Sequence, residues 1–302
     1  MKYELLINYL KEKEIVYIEK YPTWRATSFE TGSTVDIAIF PHTSALFCEI
    51  LSLLHTQKIK FFIVGEGTNT FFSDNMLEGA LIFTSYLNKI SIDNDVMSAE
   101  CGAKITDCSV VASINGLAGL EFACGIPGSV GGAVFMNCSA FEKSISDVIL
   151  CAEVYDISLK KRFSMSCKEQ EFNLKDSIFS KNKNLVLIKS SFILKKHPSK
   201  EITDLNISYV KKRLLSQPLE WGSCGSAFKR PKNGYASRLI DSAGLKGLKC
   251  GGAQVSSKHA GFVINYANAT SRDVCELLSK IKSRVYEQFA TLLEEEIIYV
   301  SE

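Results

Sequence analysis

The run GLAGLEFACGIPGSVGGAVFMN, residues 116–137, is punctuated by Gly116, Gly119, Gly125, Gly128, Gly131 and Gly132, with Pro127 among small apolar residues. Helix and strand interiors do not carry glycine at that density, because each one adds backbone freedom that folding must suppress. The stretch reads as a loop whose main chain is its working surface. Without a Cβ, glycine admits φ > 0 and lets a ligand reach the backbone. The N–H groups around Gly128, Ser129, Gly131 and Gly132 can therefore converge on an anion such as phosphate. Pro127 sets its own φ and drives Ile126 out of the α region, which stiffens the turn from one side. Glycine clusters also make packing corners that bind nothing, and that reading stands beside the first.

A second cluster lies upstream. The β-forming run KIKFFIV, residues 58–64, leads straight into Gly65, Glu66, Gly67, Thr68 and Asn69, so a strand delivers its C-terminal end onto another glycine turn. Two such loops can share one diphosphate. The Rossmann fingerprint is not met, because GEGTNT lacks the third glycine and no helical pattern follows it. A dinucleotide held outside a Rossmann fold is the better reading.

At these residues the chain resembles the UDP-N-acetylenolpyruvoylglucosamine reductases, flavoenzymes that complete UDP-N-acetylmuramate for bacterial peptidoglycan. The resemblance implies an α+β architecture: a two-subdomain FAD-binding fold of the PCMH or vanillyl-alcohol-oxidase type, plus a C-terminal α/β substrate-binding domain. The expected boundaries are 1–79 and 80–198 for the flavin subdomains and 199–302 for the substrate domain, with the last strand free to return to the flavin part. It implies FAD contacts from Gly65, Glu66, Gly67, Thr68 and Asn69, and from Gly125, Ile126, Pro127, Gly128, Ser129, Gly131, Gly132 and Ala133.

Composition narrows the alternatives. With 302 residues, 46% hydrophobic and 23% charged, the chain can bury a sizeable core. Lys and Arg total 35 against 33 acidic residues, a net +2, so no global field recruits nucleic acid and any anion must be met locally. No segment approaches the apolar length of a membrane span. The N-terminus, MKYELLINYLKEKEIVYIEK, reads as an amphipathic helix rather than an export signal. Ten cysteines without a C-x-x-C pair read as free buried thiols, and the four scattered histidines give no metal site.

Along the chain, a strand closed by Pro41 precedes a helix over 44–56 with Leu46, Phe47, Ile50, Leu51 and Leu54 on one face, capped by Thr43 or Ser44. With the strand at 59–64 this makes a βαβ unit ending on the first glycine loop. Short strands follow from about 80, then a helix from Thr106 to Gly116. Two β-rich runs, 148–158 and 184–196, flank a charged stretch, and residues 199–216 are helical in charge pattern. A helix capped at Thr270, with Asp273 three residues on, presents Val274, Leu277, Leu278, Ile281, Val285 and Phe289 at core spacing. The chain closes on the strand IIYV.

Three segments could carry chemistry. WGSCGSAFKRP, residues 221–231, puts serines and a cysteine among glycines, but the serine-hydrolase elbow G-x-S-x-G is absent. A capped turn leading into Phe228 is the plain alternative. In LLEEEII, alternation along an extended segment puts Glu294 and Glu296 on one face and Glu295 on the other. Lys175 reads alone as a surface charge. The family resemblance assigns roles: Ser226 of G-S-x-F-K gives a proton to the reduced substrate, Glu296 of L-E-x-E-[VI] is the catalytic carboxyl, and Lys175 stands where the family has arginine. Lysine keeps the charge but loses the planar fork. Arg230 stands where asparagine is usual. Lys229, Gln254 and Lys258 are implied on the substrate side, with His259 beside them. Arg213, with Lys211 and Lys212, is either a nucleotide-sugar contact or part of a solvated helix face.

The reaction so implied is a two-step hydride relay from NADPH through FAD to the enolpyruvyl group of a UDP-sugar, in the cytoplasm, by a monomer of the shorter family form. Another flavin-dependent oxidoreductase of the same fold, or a non-catalytic flavin or nucleotide-sugar binder, are the alternatives.

Overall fold

In the computed structural model, which describes residues 3–232 and 234–301, hydrophobic spacing decides where most elements sit. Helix Ser44–Thr56 buries Phe47, Cys48, Ile50, Leu51 and Leu54, and the Thr43 hydroxyl accepts from the Leu46 amide as its cap. Leu46 is only partly buried. The N-terminal helix is shorter than its charge pattern suggests. It spans Glu4–Glu12 with Leu6 and Leu10 buried one turn apart, then stops at Glu14, whose φ of 52° is left-handed. The Ile15 amide reaches back to the Leu10 carbonyl at 2.8 Å, a Schellman ending. Beyond it Val16–Pro22 is a strand, the conformation that β-branched and aromatic residues such as Val16, Tyr17 and Ile18 favour.

The chain forms two compact units that interleave along the sequence. The first comprises Met1–Glu19, Ile37–Glu66 and Gly79–Lys211, and the second Lys20–Asp36, Gly67–Glu78 and Lys212–Glu302. Three consecutive segments were expected; residues 20–36 and 67–78 instead cluster with the C-terminal part. Pairing across the sequence is the reason. Strand Thr70–Phe72 lies parallel to Ile298–Val300, with Phe71 opposite Tyr299 and their rings stacked at 4.8 Å.

The first unit carries most of a sheet ordered Val16–Pro22, Thr34–Phe40, Leu77–Phe83, Phe61–Val64, the last two strands parallel. The strand at 77–83 thus inserts between the two strands of the expected βαβ unit. A five-stranded sheet runs Lys161–Ser166, Ile149–Asp156, Leu185–Ile193, Val96–Glu100, Ile90–Asp93 and is antiparallel throughout. Helix Ile105–Ile114 buries Ile105, Cys108 and Ala112. One continuous apolar cluster, from Leu6 to Leu194, joins these elements.

The second unit is built on an antiparallel sheet ordered Gly222–Ser226, Phe262–Asn265, Ala253–Val255, Lys249–Cys250. Helix Ser271–Phe289 packs Val274, Leu277, Leu278, Ile281 and Val285 into its core. Phe289, expected there, is 37% exposed; it is the last helical residue, and the chain leaves the core behind it. All ten cysteines are free thiols, six of them buried. No helix is long and apolar enough to cross a membrane among the described residues.

The start of that long helix is held by a reciprocal cap. Thr270 accepts from the Asp273 amide, and the Asp273 carboxylate accepts from Thr270 N–H and from Gly252 N–H at 3.0 and 3.1 Å. A Cβ on Gly251, whose φ is +51°, would stand 2.1 Å from an Asp273 oxygen. These bonds hold the Asp273 carboxyl below the usual carboxylate range, that from Thr270 N–H contributing most. A depressed folded-state pKa stabilises the fold above the unfolded value, and the gain disappears as pH falls through the folded one. Asp273→Ala is expected to cost about 1 kcal/mol at neutral pH. Urea midpoints of the two proteins should converge on acidification through the carboxylate range; a gap independent of pH would contradict the charged cap.

Candidate active site

The first glycine loop begins where the parallel strand Phe61–Val64 ends, fixed by the Thr84 amide on the Val64 carbonyl at 3.0 Å. Gly65 has no room for a side chain, since a Cβ would lie 2.2 Å from the Ser129 hydroxyl oxygen. The two glycine clusters therefore meet at this contact, within the first unit. Ser129 is itself the cap of helix Val130–Phe135, accepting from the Gly132 amide at 3.2 Å. Around it the second loop is tied to residues 101–105: Val130 N–H to Ala103 O and Gly131 N–H to Cys101 O, both at 2.7 Å, and Ile105 N–H to Gly128 O at 3.0 Å. The Thr106 hydroxyl holds the Ile126 carbonyl at 2.8 Å, just before the exposed Pro127.

Those bonds turn the remaining amides the other way. The N–H groups of Glu66, Gly128 and Ser129 find no acceptor among the described residues, although Ser129 is only 2% exposed. Buried amides are almost always paired, and a converging set of this kind suits a phosphate oxygen. Beside it lies a cavity of about 500 Å³ lined by Glu66, Ser85, Asn88, Gly102, Lys104 and Asp107, with the Lys104 ammonium 3.8 Å from the Glu66 carboxylate. The residues present fit a dinucleotide cofactor such as FAD.

Lys175 also belongs to the first unit. It sits in a tight turn closed by Asn173 N–H to Asp176 O at 3.0 Å, and its φ is 55°. Its side chain is half-buried rather than a free surface charge.

In the second unit the chain's end meets the serine segment. Lys229 N–H bonds Glu294 O at 2.8 Å and Glu296 N–H bonds Ala227 O at 2.9 Å, with Phe228 bridged to Glu295. This short ladder sets Ala227 opposite Glu296 and leaves Ser226 one residue before that pair. The remainder of the first glycine loop joins them: the Asn69 side-chain amide donates to Glu296 O at 3.0 Å, and Ile298 N–H donates to Asn69 O at 2.9 Å. Gly67, at φ +63°, packs so closely that a Cβ would lie 1.9 Å from Ala26 O. Ser226 is exposed and Glu296 half-buried, next to a bulge in the strand between Ser223 and Ser226. Cys224 is no rival nucleophile. Burial pushes its thiol up to about 12, and its Sγ lies 3.1 Å from Thr70 O.

The acidic triplet divides. Glu294 lies 3.6 Å from Lys229 Nζ and is exposed, and Glu295 pairs with Lys282 at 2.7 Å, leaving Glu296 the half-buried one. Gln254 donates to Gly247 O at 3.3 Å, and Lys258 to Leu214 O at 2.9 Å. Arg213 is 8% exposed, so it does not sit on a solvated helix face. His259 is kept neutral chiefly by burial; its Nδ1 accepts from Gly261 N–H at 3.1 Å, which puts the ring proton on Nε2. Sequence reasoning overlooked Tyr235 and Arg238. The Arg230 guanidinium lies 4.1 Å above the Tyr235 ring and that of Arg238 5.2 Å from it, a stack for which residue spacing gave no signal.

Comparison with known proteins shows the family. Residues 35–158 match an FAD-binding domain, and residues 217–300 match the C-terminal domain of UDP-N-acetylenolpyruvoylglucosamine reductase. The chain is 38% identical over its full length to a protein of that name from Caldicellulosiruptor bescii, covering 95% of it. It is 40% identical to one from Clostridium beijerinckii, over 89% of this chain and 88% of the other. The crystal structure of the corresponding reductase from Thermus caldophilus superimposes with a TM-score of 0.79 at 26% identity, covering 95% of this chain and 99% of that one. A glycine cradle suited to a dinucleotide and a ladder that joins the serine segment to the chain's end thus occur in a sequence that belongs to the UDP-N-acetylenolpyruvoylglucosamine reductase family.

Proposed function

We infer that this chain reduces the enolpyruvyl group of UDP-N-acetylglucosamine enolpyruvate to UDP-N-acetylmuramate for peptidoglycan synthesis, using NADPH and FAD, and that Ser226, Glu296 and Lys175 carry the chemistry. The observation that supports these roles most directly is the ladder of residues 227–229 against 294–296, which brings the segment carrying Glu296 against the residue that follows Ser226. When bound, FAD supplies hydride transfer, taking hydride from NADPH and delivering it to the terminal carbon of the enolpyruvyl group.

The protein's share is placement and charge control. In the first unit, Gly65, Glu66, Gly125, Ile126, Pro127, Gly128, Ser129, Gly131, Gly132 and Ala133 form the cradle for the cofactor's diphosphate, with the amides of Glu66, Gly128 and Ser129 as donors. In the second, Gly67, Thr68 and Asn69 complete the loop. A reduced enolpyruvate gathers negative charge on its carboxylate as an enolate. Lys175 is assigned that charge as a cation, and Glu296, where it is protonated or shares a proton, is assigned a donor role toward it. Ser226 gives its hydroxyl proton to the carbon that bears the ether oxygen. Lys229, Gln254, Lys258 and Arg213 are assigned to the substrate, with Gln254 and Lys258 releasing their local carbonyl partners to do so. The enzyme is placed in the cytoplasm, where both nucleotides are made, and as a monomer, which gel filtration checks.

Two measurements test these assignments. Ser226→Ala should leave flavin reduction by NADPH unchanged while slowing flavin reoxidation by the enolpyruvyl sugar nucleotide by about a hundredfold. Equal loss in both half-reactions would remove Ser226 from its role. Gly65→Ala places a methyl 2.2 Å from Ser129 Oγ, whereas a methyl at Gly132 meets that oxygen only at 3.5 Å. The flavin-to-protein absorbance ratio should fall severalfold in Gly65→Ala and distinctly less in Gly132→Ala. Similar flavin content in the two would refute the cradle.

A further inference from the structure

Asn137 is the residue that ends the cradle helix. Helix Val130–Phe135 stops in a Schellman motif, with Asn137 N–H to Val134 O at 3.1 Å and Cys138 N–H to Ala133 O at 2.7 Å, and Asn137 in the left-handed region at φ 41°. Glycine is the usual residue at that position and asparagine the next. A cap alone would leave the asparagine side chain in solvent. Here Asn137 is 8% exposed and both ends of its amide are used. Nδ2 donates to Asn173 O at 3.0 Å, and Oδ1 accepts from Ser146 N–H at 3.1 Å.

Asn173 O belongs to the turn that carries Lys175. A lysine with φ 55° sits in a conformation that is strained for a residue with a Cβ, and such a conformation persists only where its surroundings over-determine it. The surroundings do so here. The turn is closed on itself by the Asn173 and Asp176 backbone pair. The Ser180 hydroxyl bonds the Asp176 carboxylate, and the Lys181 ammonium lies 3.5 Å from it. The turn is tied to the cradle helix twice, by Asn137 and by the fully buried Ser177, whose hydroxyl donates to Phe135 O at 2.8 Å. The same helix begins at Ser129. Six residues, about 9 Å of helix, therefore separate the phosphate cradle at one end from the anchor of the lysine turn at the other.

We propose that Asn137 is a positioning residue for the reduction: its side-chain amide sets Lys175 in register with the cofactor cradle through the Asn173 carbonyl. The inference rests on the role given to Lys175 above. It acts through the lysine, touching neither substrate nor cofactor itself.

Three variants of the FAD-loaded enzyme separate this from a structural cap. Asn137→Gly keeps the left-handed cap and removes only the amide. Flavin content and reduction by NADPH should stay within about twofold, while reoxidation by the enolpyruvyl sugar nucleotide falls between tenfold and a hundredfold, as expected for a displaced catalytic group. Hydrogen exchange at the amides of residues 173–176 should speed up with or without FAD. Asn137→Asp keeps an acceptor for Ser146 N–H but loses the donor to Asn173 O, and should behave as Asn137→Gly does. Combining Asn137→Gly with Lys175→Ala should add no further loss to that of Lys175→Ala. Normal reoxidation in Asn137→Gly beside a slow Lys175→Ala, recovery in Asn137→Asp, or additive losses in the double variant would each overturn the proposal. Normal reoxidation in Lys175→Ala would instead remove the reading of Lys175 on which it stands.

Discussion

The contact of Gly65 with the Ser129 hydroxyl is the constraint on which the first unit's binding surface depends. It lets a strand end and a helix start meet with no side chain between them, at a separation that any Cβ would abolish. Because Ser129 is at once the helix cap and the wall against Gly65, its conformation is set from two directions. The bonds of Val130, Gly131 and Ile105 to their neighbours then leave the amides of Glu66, Gly128 and Ser129 without an acceptor among the described residues. A preorganised donor set of this kind needs no rearrangement when charge arrives.

The second unit solves a different problem, that of bringing the serine segment and the chain's end together when they lie far apart in sequence. A backbone ladder does this better than side-chain contacts, because each rung fixes main-chain atoms rather than flexible termini. The rungs at Lys229 and Glu296 bring the end of the chain to the serine segment, and Asn69 ties the chain's end to the glycine loop. Around them the ionisable neighbours are neutralised. Glu294 and Glu295 face lysines, the Cys224 thiol is held protonated by burial, and His259 is held uncharged for the same reason. Glu296 is thereby distinguished from two carboxylates next to it in the chain.

Helix faces and caps were readable without the fold because their causes are local. Phe47, Ile50, Leu51 and Leu54 lie three or four residues apart, and Thr270 with Asp273 is a capping box within one turn. The glycine clusters were readable too, since only a backbone with positive φ or a close approach requires them. The N-terminal segment misled because alternating charges after Glu12 fit either a helix or an edge strand, and the left-handed Glu14 that separates them has no sequence signature. Family resemblance, not spacing, singled out Lys175 and Glu296; by itself each is one charge among many.

What the residues alone decided is the chemistry available: glycine loops able to meet phosphates, a serine in a glycine-rich segment, a carboxylate near the chain's end, and a net charge of +2, too small to recruit a polyanion. Folding decided which of them meet. The division of the chain into interleaved units, the return of Ile298–Val300 beside Thr70–Phe72, and the bracing of the Lys175 turn by Asn137 all join residues dozens to hundreds apart. Such pairings follow from which apolar faces can be buried together and which backbone groups remain to be bonded, and both are properties of the packed chain rather than of any window along it.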